Sequence, residues 1–213
     1  GNPMLEVKQF QEGNAERWDL FVETCSNATF FHRAGWKEVI ERSFGHATHF
    51  MYAEENDRIQ GVLPLVHVRI LFFGNALISC PFCVYGGVAA ETRAARTVLE
   101  AAGEELAIRL GVDYLELRNR SHHRSDWPCS DLYVTFRKVM DPDPEKNMQA
   151  IPRKQRAMVR KGIKAGLVGE IDEGVDRFFK MYSTSVRNLG TPVFRKDYFN
   201  ILAQVFGKDV EVL

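Results

Sequence analysis

His46–Gly74 reads HATHFMYAEENDRIQGVLPLVHVRILFFG, and this stretch decides the fold class. His46–Glu54 alternates and is rich in aromatic side chains, the pattern of a half-buried strand. Glu55-Asn56-Asp57-Arg58 supplies turn residues. Ile59–Phe72 is then a long apolar run broken at Pro64, Phe73-Gly74-Asn75 turns the chain again, and Ala76–Cys80 makes a further strand. The reading is an antiparallel meander. Proline gives no N–H to a ladder, so Pro64 is expected at a bulge or an edge.

Working outward, Leu5–Phe10 reads as a short strand with Leu5 and Val7 on one side. Asn14–Thr24 spaces Trp18, Phe21 and Val22 as a helix does, with Asn14 as N-cap. Arg33–Phe44 repeats that spacing through Trp36, Val39, Ile40 and Phe44, and Gly45 ends it. Beyond the meander, a buried helix is expected over Glu91–Leu110, capped by Gly111. Strands follow at Tyr114–Leu117 and Leu132–Val139. The order strand, two helices, meander, helix, strand, strand predicts an α/β (α+β) domain, a mixed, largely antiparallel sheet flanked by helices.

Asp141-Pro142-Asp143-Pro144 is a rigid polar breaker. It divides the chain into a first domain at 1–140, a linker at 141–150 and a second unit at 151–213, which reads as helices with strands near Leu167–Ile171 and from Val210. Trp18-Asp19-Leu20-Phe21-Val22 leads to a helix closing on Phe44-Gly45. Val175-Asp176-Arg177-Phe178-Phe179 leads to one closing on Phe206-Gly207. This echo suggests two copies of one domain, the second cut short as its sheet begins. The chain is therefore expected to be a fragment, or to rest on a partner surface, and to be inactive alone.

Composition narrows the function. Lys and Arg number 28 and so do Asp and Glu, which argues against a surface basic throughout. The aromatic content of 11% excludes a disordered chain. No apolar run approaches the roughly 20 residues of a membrane span, and Gly1–Phe10 lacks the form of a signal peptide. A cytoplasmic protein is expected, with a place at the periphery of the inner membrane as an alternative.

The strongest local signal is Ile151–Lys164, IPRKQRAMVRKGIK, with six basic residues and no acidic one. Pro152 suits a first helical turn. On a helix Arg153, Arg156, Arg160 and Lys164 share one side, opposite Ile151, Met158, Val159 and Ile163. Such a ridge suits phosphate, which a guanidinium grips with paired hydrogen bonds. A solvated amphipathic face is the plainer alternative. Cys80-Pro81-Phe82-Cys83 has zinc-ligand spacing and could look to His122, His123 or Cys129, but no second cysteine pair exists and no metal is expected. His122-His123-Arg124-Ser125-Asp126 reads as a surface loop.

Several segments resemble the FemAB-like family: Phe30-Phe31-His32-Arg33-Ala34-Gly35-Trp36, Gly61-Val62-Leu63-Pro64-Leu65, Phe72–Gly87 and Leu115-Glu116-Leu117-Arg118. Pro152–Arg156 through Lys161–Leu167 is similar to the helix opening that family's second domain. The nearest likeness is to the subgroup associated with exosortase and PEP-CTERM systems. The resemblance implies tandem GNAT-like domains and an N-acyl or aminoacyl transferase, acting on an amino group of a phosphate-bearing envelope, peptidoglycan or exopolysaccharide precursor. Aminoacyl-tRNA or acyl-CoA would be the donor. It makes Arg153, Arg156, Arg160 and Lys164 candidates for the precursor's phosphates, with Lys37 from the first domain and Tyr85 lining the cleft; no catalytic residue is assigned. In acyl-CoA-dependent relatives the junction before the long helix carries Arg or Gln, and here Val84 stands there. Val84-Tyr85-Gly86-Gly87-Val88-Ala89 therefore also reads as a tight structural turn. The alternative function is a non-catalytic GNAT-like binding or scaffold module in an exopolysaccharide export system.

Overall fold

The computed structural model describes residues 4–70, 74–79, 87–121, 132–153 and 197–207. The strands are β1 (Glu6–Gln9), β2 (Ala47–Glu55), β3 (Arg58–Ile70), β4 (Gly74–Ser79), β5 (Ala89–Ala90), β6 (Tyr114–Ser121) and β7 (Leu132–Val139). The helices are α1 (Ala15–Thr24), α2 (Gly35–Phe44), α3 (Arg93–Leu110), α4 (Pro144–Ala150) and α5 (Tyr198–Phe206). The sheet runs β1-β2-β3-β4-β6-β7, with β5 added to β3. Every pairing is antiparallel except β4 with β6, which are parallel and joined through α3. The fold is the mixed, mostly antiparallel sheet flanked by helices that the meander implies.

The hairpin β2–β3 turns on Asn56 and Asp57, with φ of 52° and 60°. Both are residues that tolerate left-handed backbone, and a two-residue turn of this kind matches the twist of its strands. Between Ala53 and Glu54 the register shifts, leaving Gln60 as an extra residue. The bulge turns Ile59 to the same face as Val62, and Glu91 N donates to the Gln60 carbonyl at 2.9 Å.

Pro64 lies inside a central strand, contrary to the expectation of a bulge or an edge. It pairs with Phe50 and stands between Val62, the last β3 residue paired with β5, and Leu65, the first paired with β4. A proline can sit opposite Phe50 only where no N–H is asked of it. That turns its nitrogen toward the side on which β3 changes neighbours.

Side chains alternate across the sheet and fill two cores. On one face α3 covers Val7, Met51, Leu63, Leu65, Leu77, Leu115 and Leu117. The helix comes so close that a Cβ on Gly61 would stand 2.8 Å from Leu99 Cδ1. On the other face α1, α2 and α5 enclose Phe10, Trp18, Phe50, Tyr52, Val62 and Val66. α2 begins at Gly35 and not at Arg33, because Phe30–His32 forms a separate 3-10 turn. Asn14 occupies the N-cap position of α1, but its Oδ1 accepts from Gln11 N at 3.0 Å and closes the preceding turn.

α5 packs against α2, and its Tyr198, Ile201 and Leu202 belong to the second core. Phe206 lies 4.9 Å from Phe30 and 5.3 Å from Trp36 between ring centroids. Gly35 makes room for it: a Cβ there would meet Phe206 and Val205 at 2.7 Å. The strands expected near Leu167–Ile171 and from Val210 lie outside the described residues. No described helix is long and apolar enough to cross a membrane.

Among the described residues, the buried side chains of Gln9, Ser43 and His49 carry polar atoms that break the rule that buried polar groups are paired, Ser43 through its Oγ. Gln9 Nε2 and both ring nitrogens of His49 find no hydrogen-bond partner. An orphaned buried group costs about 1–3 kcal/mol.

Candidate functional site

The sheet opens at the carboxyl ends of its parallel pair. β4 and β6 run side by side through Ala76–Ile78 and Tyr114–Glu116. Past that point the Arg118 amide donates to Ser79 Oγ at 2.7 Å, and the Arg118 carbonyl accepts from Gly87 N at 2.9 Å. Ser79 pairs with Leu65 of β3, and Ala89 and Ala90 pair with Val62 and Gly61 of the same strand. A side chain and a glycine amide thus replace the ladder where the parallel strands end, the position at which open α/β sheets commonly receive ligands.

The returning limb Gly87–Ala90 is held from the α1–α2 face. His32 is buried, and its Nδ1 accepts from Thr29 N at 3.0 Å, which places the proton on Nε2. Nε2 lies 2.8 Å from the Gly87 carbonyl and so donates to it. Burial lowers the His32 pKa to about 4, against the two backbone hydrogen bonds that raise it, so the ring is neutral near pH 7. Trp18 Nε1 donates to the His32 carbonyl at 2.6 Å, and Asn27 Nδ2 to the Ala90 carbonyl at 2.8 Å.

Arginines gather beside the opening. Glu116 is buried and accepts from Arg118 Nε at 3.1 Å and from Arg137 Nη2 at 2.7 Å. Arg137 also lies over the Tyr114 ring, 4.4 Å from its centroid. The Glu116 carboxylate thus stands between two guanidiniums.

A second concavity lies on the α1–α2 side. It is a groove of ≈ 640 Å³ between Phe10–Glu12, α1, the start of α2 and Val205 of α5. Lys37 lines it with Glu12, Asp19, Glu38 and Glu41. Its Nζ donates to Glu41 at 2.7 Å, and the same carboxylate oxygen accepts from Thr48 Oγ1 at 2.7 Å. Asp19 Oδ1 accepts from Ala34 N at 2.8 Å, while burial pushes its pKa up. Four carboxylates around one ammonium give a field that disfavours phosphate.

The structure does not bring Lys37 and Arg153 together. Arg153 is exposed and follows buried Ile151, just beyond α4, which packs on α3. Lys37 belongs to α2, on the opposite face of the sheet. Arg156, Arg160, Lys164 and Tyr85 lie outside the described residues, as do Cys80, Cys83, His122, His123 and Cys129. Among the described residues no group of three or more His, Cys, Asp and Glu could hold a metal ion. The sequence reading passed over His32, Ser79 and the Glu116–Arg118–Arg137 cluster as site residues. The alternation in Leu115-Glu116-Leu117-Arg118, which puts two charges on one face of a strand, was the available signal.

No protein-family model matches the chain, and no curated protein matches it either. Among solved structures, a match is a conserved protein of unknown function from Enterococcus faecalis V583, described as a probable N-acyltransferase. The identity is 13% and the TM-score 0.37, over 56% of this chain and 30% of that one. The chain thus spans under a third of that neighbour's length. A likeness this slight leaves function to the geometry of the chain itself.

Proposed function

We propose that the chain is part of a FemAB-like N-acyltransferase, moving an acyl or aminoacyl group to an amino group of a phosphate-bearing envelope precursor. The observation that carries the reading is the opening of the sheet at Ser79, Gly87 and Arg118, at the carboxyl ends of a parallel pair set among antiparallel strands. Ligands favour such crevices because strand ends present polarised backbone that the ladder no longer uses. The guanidiniums of Arg118 and Arg137 beside it favour an anionic group. The basic segment opening at Arg153 supplies further cations for phosphates of the same precursor. Acyl transfer needs an uncharged amine, a proton acceptor and donors for the developing oxyanion.

The test is binding of a sugar-diphosphate peptide that carries a free lysine amine, by calorimetry. Arg153→Ala with Arg156→Ala should weaken it about tenfold or more, since each phosphate contact to arginine is a charge-assisted pair, and leave the melting temperature within a degree or so. Unchanged affinity in the double variant overturns the phosphate assignment. Turnover of no aminoacyl-tRNA or acyl-CoA donor by a longer protein that binds the precursor overturns the transferase.

A further inference from the structure

The sheet ends on two strands that are finished differently. β1 is four residues long, and its Lys8 donates to Glu54 of β2. β7 runs for eight residues, and among the described residues no strand lies beyond it. Natural edges are kept from pairing with other chains by shortness, by charge or by cover. β1 has the first of these devices, and β7 does not.

Half of the β7 backbone faces away from the sheet. Met140 N donates to the Asp113 carbonyl at 2.9 Å, which fixes the alternation of the β6–β7 ladder. Residues 132, 134, 136 and 138 spend their N–H and C=O groups on β6, while 133, 135, 137 and 139 turn theirs to the open side. Charge does not protect that side either. Arg137 is drawn to Glu116 at 2.7 Å and Lys138 to Glu104 of α3 at 3.1 Å, so the strand's two cations are neutralised within the chain. The side chains left to solvent are apolar: Phe136 is 47% exposed and Val139 74%. Beside Val139 lies a hollow of ≈ 310 Å³, lined also by Ile108, Val112, Met140 and Pro142, with room for a side chain brought up from across the edge.

We propose that β7 pairs with β7 of a second copy of this chain, antiparallel about a two-fold axis at Phe136, so that two sheets become one. A strand edge is self-complementary in this arrangement, as a two-fold interface requires. The charges choose the register. With Phe136 opposite itself, Arg137 faces Thr135 of the second copy and Val139 faces Tyr133. Moving the axis one residue toward the carboxyl end sets Arg137 opposite Arg137, and like charges directly opposed are destabilising. Moving it one residue the other way sets Val139 opposite Asp131. Of these three registers, the axis at Phe136 avoids both conflicts. Its four pairs of outward residues give about eight backbone hydrogen bonds. The apolar contact is confined to Phe136, Val139 and the hollow, so the dimer belongs with small, reversible interfaces. It does not depend on the acyl-transfer reading.

The experiment is sedimentation equilibrium of the full chain between about 5 and 500 μM, where a monomer–dimer equilibrium is expected. Phe136→Lys sets two ammonium groups face to face on the axis and should weaken the dimer about tenfold or more. Val139→Pro removes an N–H that β6 does not use; it should weaken the dimer about tenfold and keep the melting temperature within a degree or so. That variant reads the edge where Phe136→Lys does not fold. Phe136→Cys brings two thiols to a non-hydrogen-bonded pair, where Cα atoms stand about 4.5 Å apart and a disulfide fits. Mild oxidation should link two chains through position 136, and Val139→Cys should not link to itself. A chain monomeric at the highest concentration overturns the proposal. So does a dimer indifferent to both edge variants, or one that Phe136→Cys does not link. Protection of the 137 and 139 amides from exchange in a longer, monomeric protein also overturns it, and assigns the edge to another strand of that protein.

Discussion

The two faces of the sheet are filled by different chemistry drawn from different distances along the chain. The α3 face is aliphatic, and its cover is one continuous helix that leaves the sheet at Ala90 and returns at Tyr114. The α1–α2 face is aromatic: Trp18 stacks on Phe50 at 5.6 Å and meets Phe10 edge-on at 5.5 Å. Its cover is completed by α5, which arrives more than 150 residues after α2 has ended. Aliphatic side chains interdigitate in many ways, whereas ring pairs contribute through particular geometries. The aromatic face should therefore be the less forgiving of the two, and its outer helix the first element to part from the molecule.

The largest expected difference comes from one truncation on each face. Trp18→Ala removes a fully buried indole, its ring contacts and its hydrogen bond to His32, and should cost about 4 kcal/mol. Leu99→Ala, equally buried under α3, should cost about 3 kcal/mol. Urea unfolding of both variants measures this. The comparison breaks if Leu99→Ala proves clearly the costlier change.

Acid should strain both faces. Burial lowers the pKa of His32 to about 4 on the aromatic side and of His49 to about 3 on the aliphatic side, with His46 also at about 4. A histidine in the unfolded chain titrates near 6.5. Each of these rings is then neutral in the fold and protonated in the unfolded chain as pH falls below 6.5. Stability is whole above that value and falls by about 1.4 kcal/mol per pH unit for each histidine until the folded pKa is reached. Summed for His32 alone the loss is about 3 kcal/mol by pH 4. His32→Gln keeps a donor for Gly87 without a titrating proton. Its stability curve between pH 6 and 4.5 should be shallower than that of the parent by one proton's slope, and an equal slope would refute the buried neutral histidine.

What could be read from the sequence follows the same division. The aliphatic face was legible because its signals are local: the alternation of β2, the turn at Asn56-Asp57, the long periodic helix ending at Gly111. Helix and strand existence follow from such periodicity, although β2 itself is buried on both faces. Pro64 was misplaced because its tolerance depends on a neighbour change in the sheet, which no local pattern reveals. The docking of α5 was illegible for a like reason. Gly35 opens α2, and the Phe206 and Val205 side chains set against it give the glycine its purpose. Of the candidate site, the basic segment at Arg153 was visible as composition. The sheet opening was not, since the Ser79–Arg118–Gly87 exchange joins residues up to 39 positions apart.

Gly35→Ala sharpens the contrast at intermediate size. The added methyl group falls on Phe206 and Val205, both ends of side chains on α5, so the helix must shift or leave. Overpacking of this kind costs about 1–3 kcal/mol. Hydrogen exchange should show residues 197–207 losing protection while β2 and β3 keep theirs. Uniform loss across the sheet would mean that α5 and the sheet unfold as one unit.

The smallest effect is expected where α5 is tied by polar contacts alone. Arg42 donates to Glu38 at 3.0 Å within α2 and to Gln204 of α5 at 2.9 Å. The Arg42 and Glu38 side chains are 42% and 57% exposed, so water and salt screen the pair and ordering two long side chains offsets the attraction. Arg42→Ala should change stability by no more than about 0.5 kcal/mol. Exchange in α5 should barely rise, because Phe206, Ile201 and Leu202 still hold the helix to the aromatic core. A loss of α5 protection as large as that of Gly35→Ala would show that the polar tie, and not the rings, keeps this helix in place.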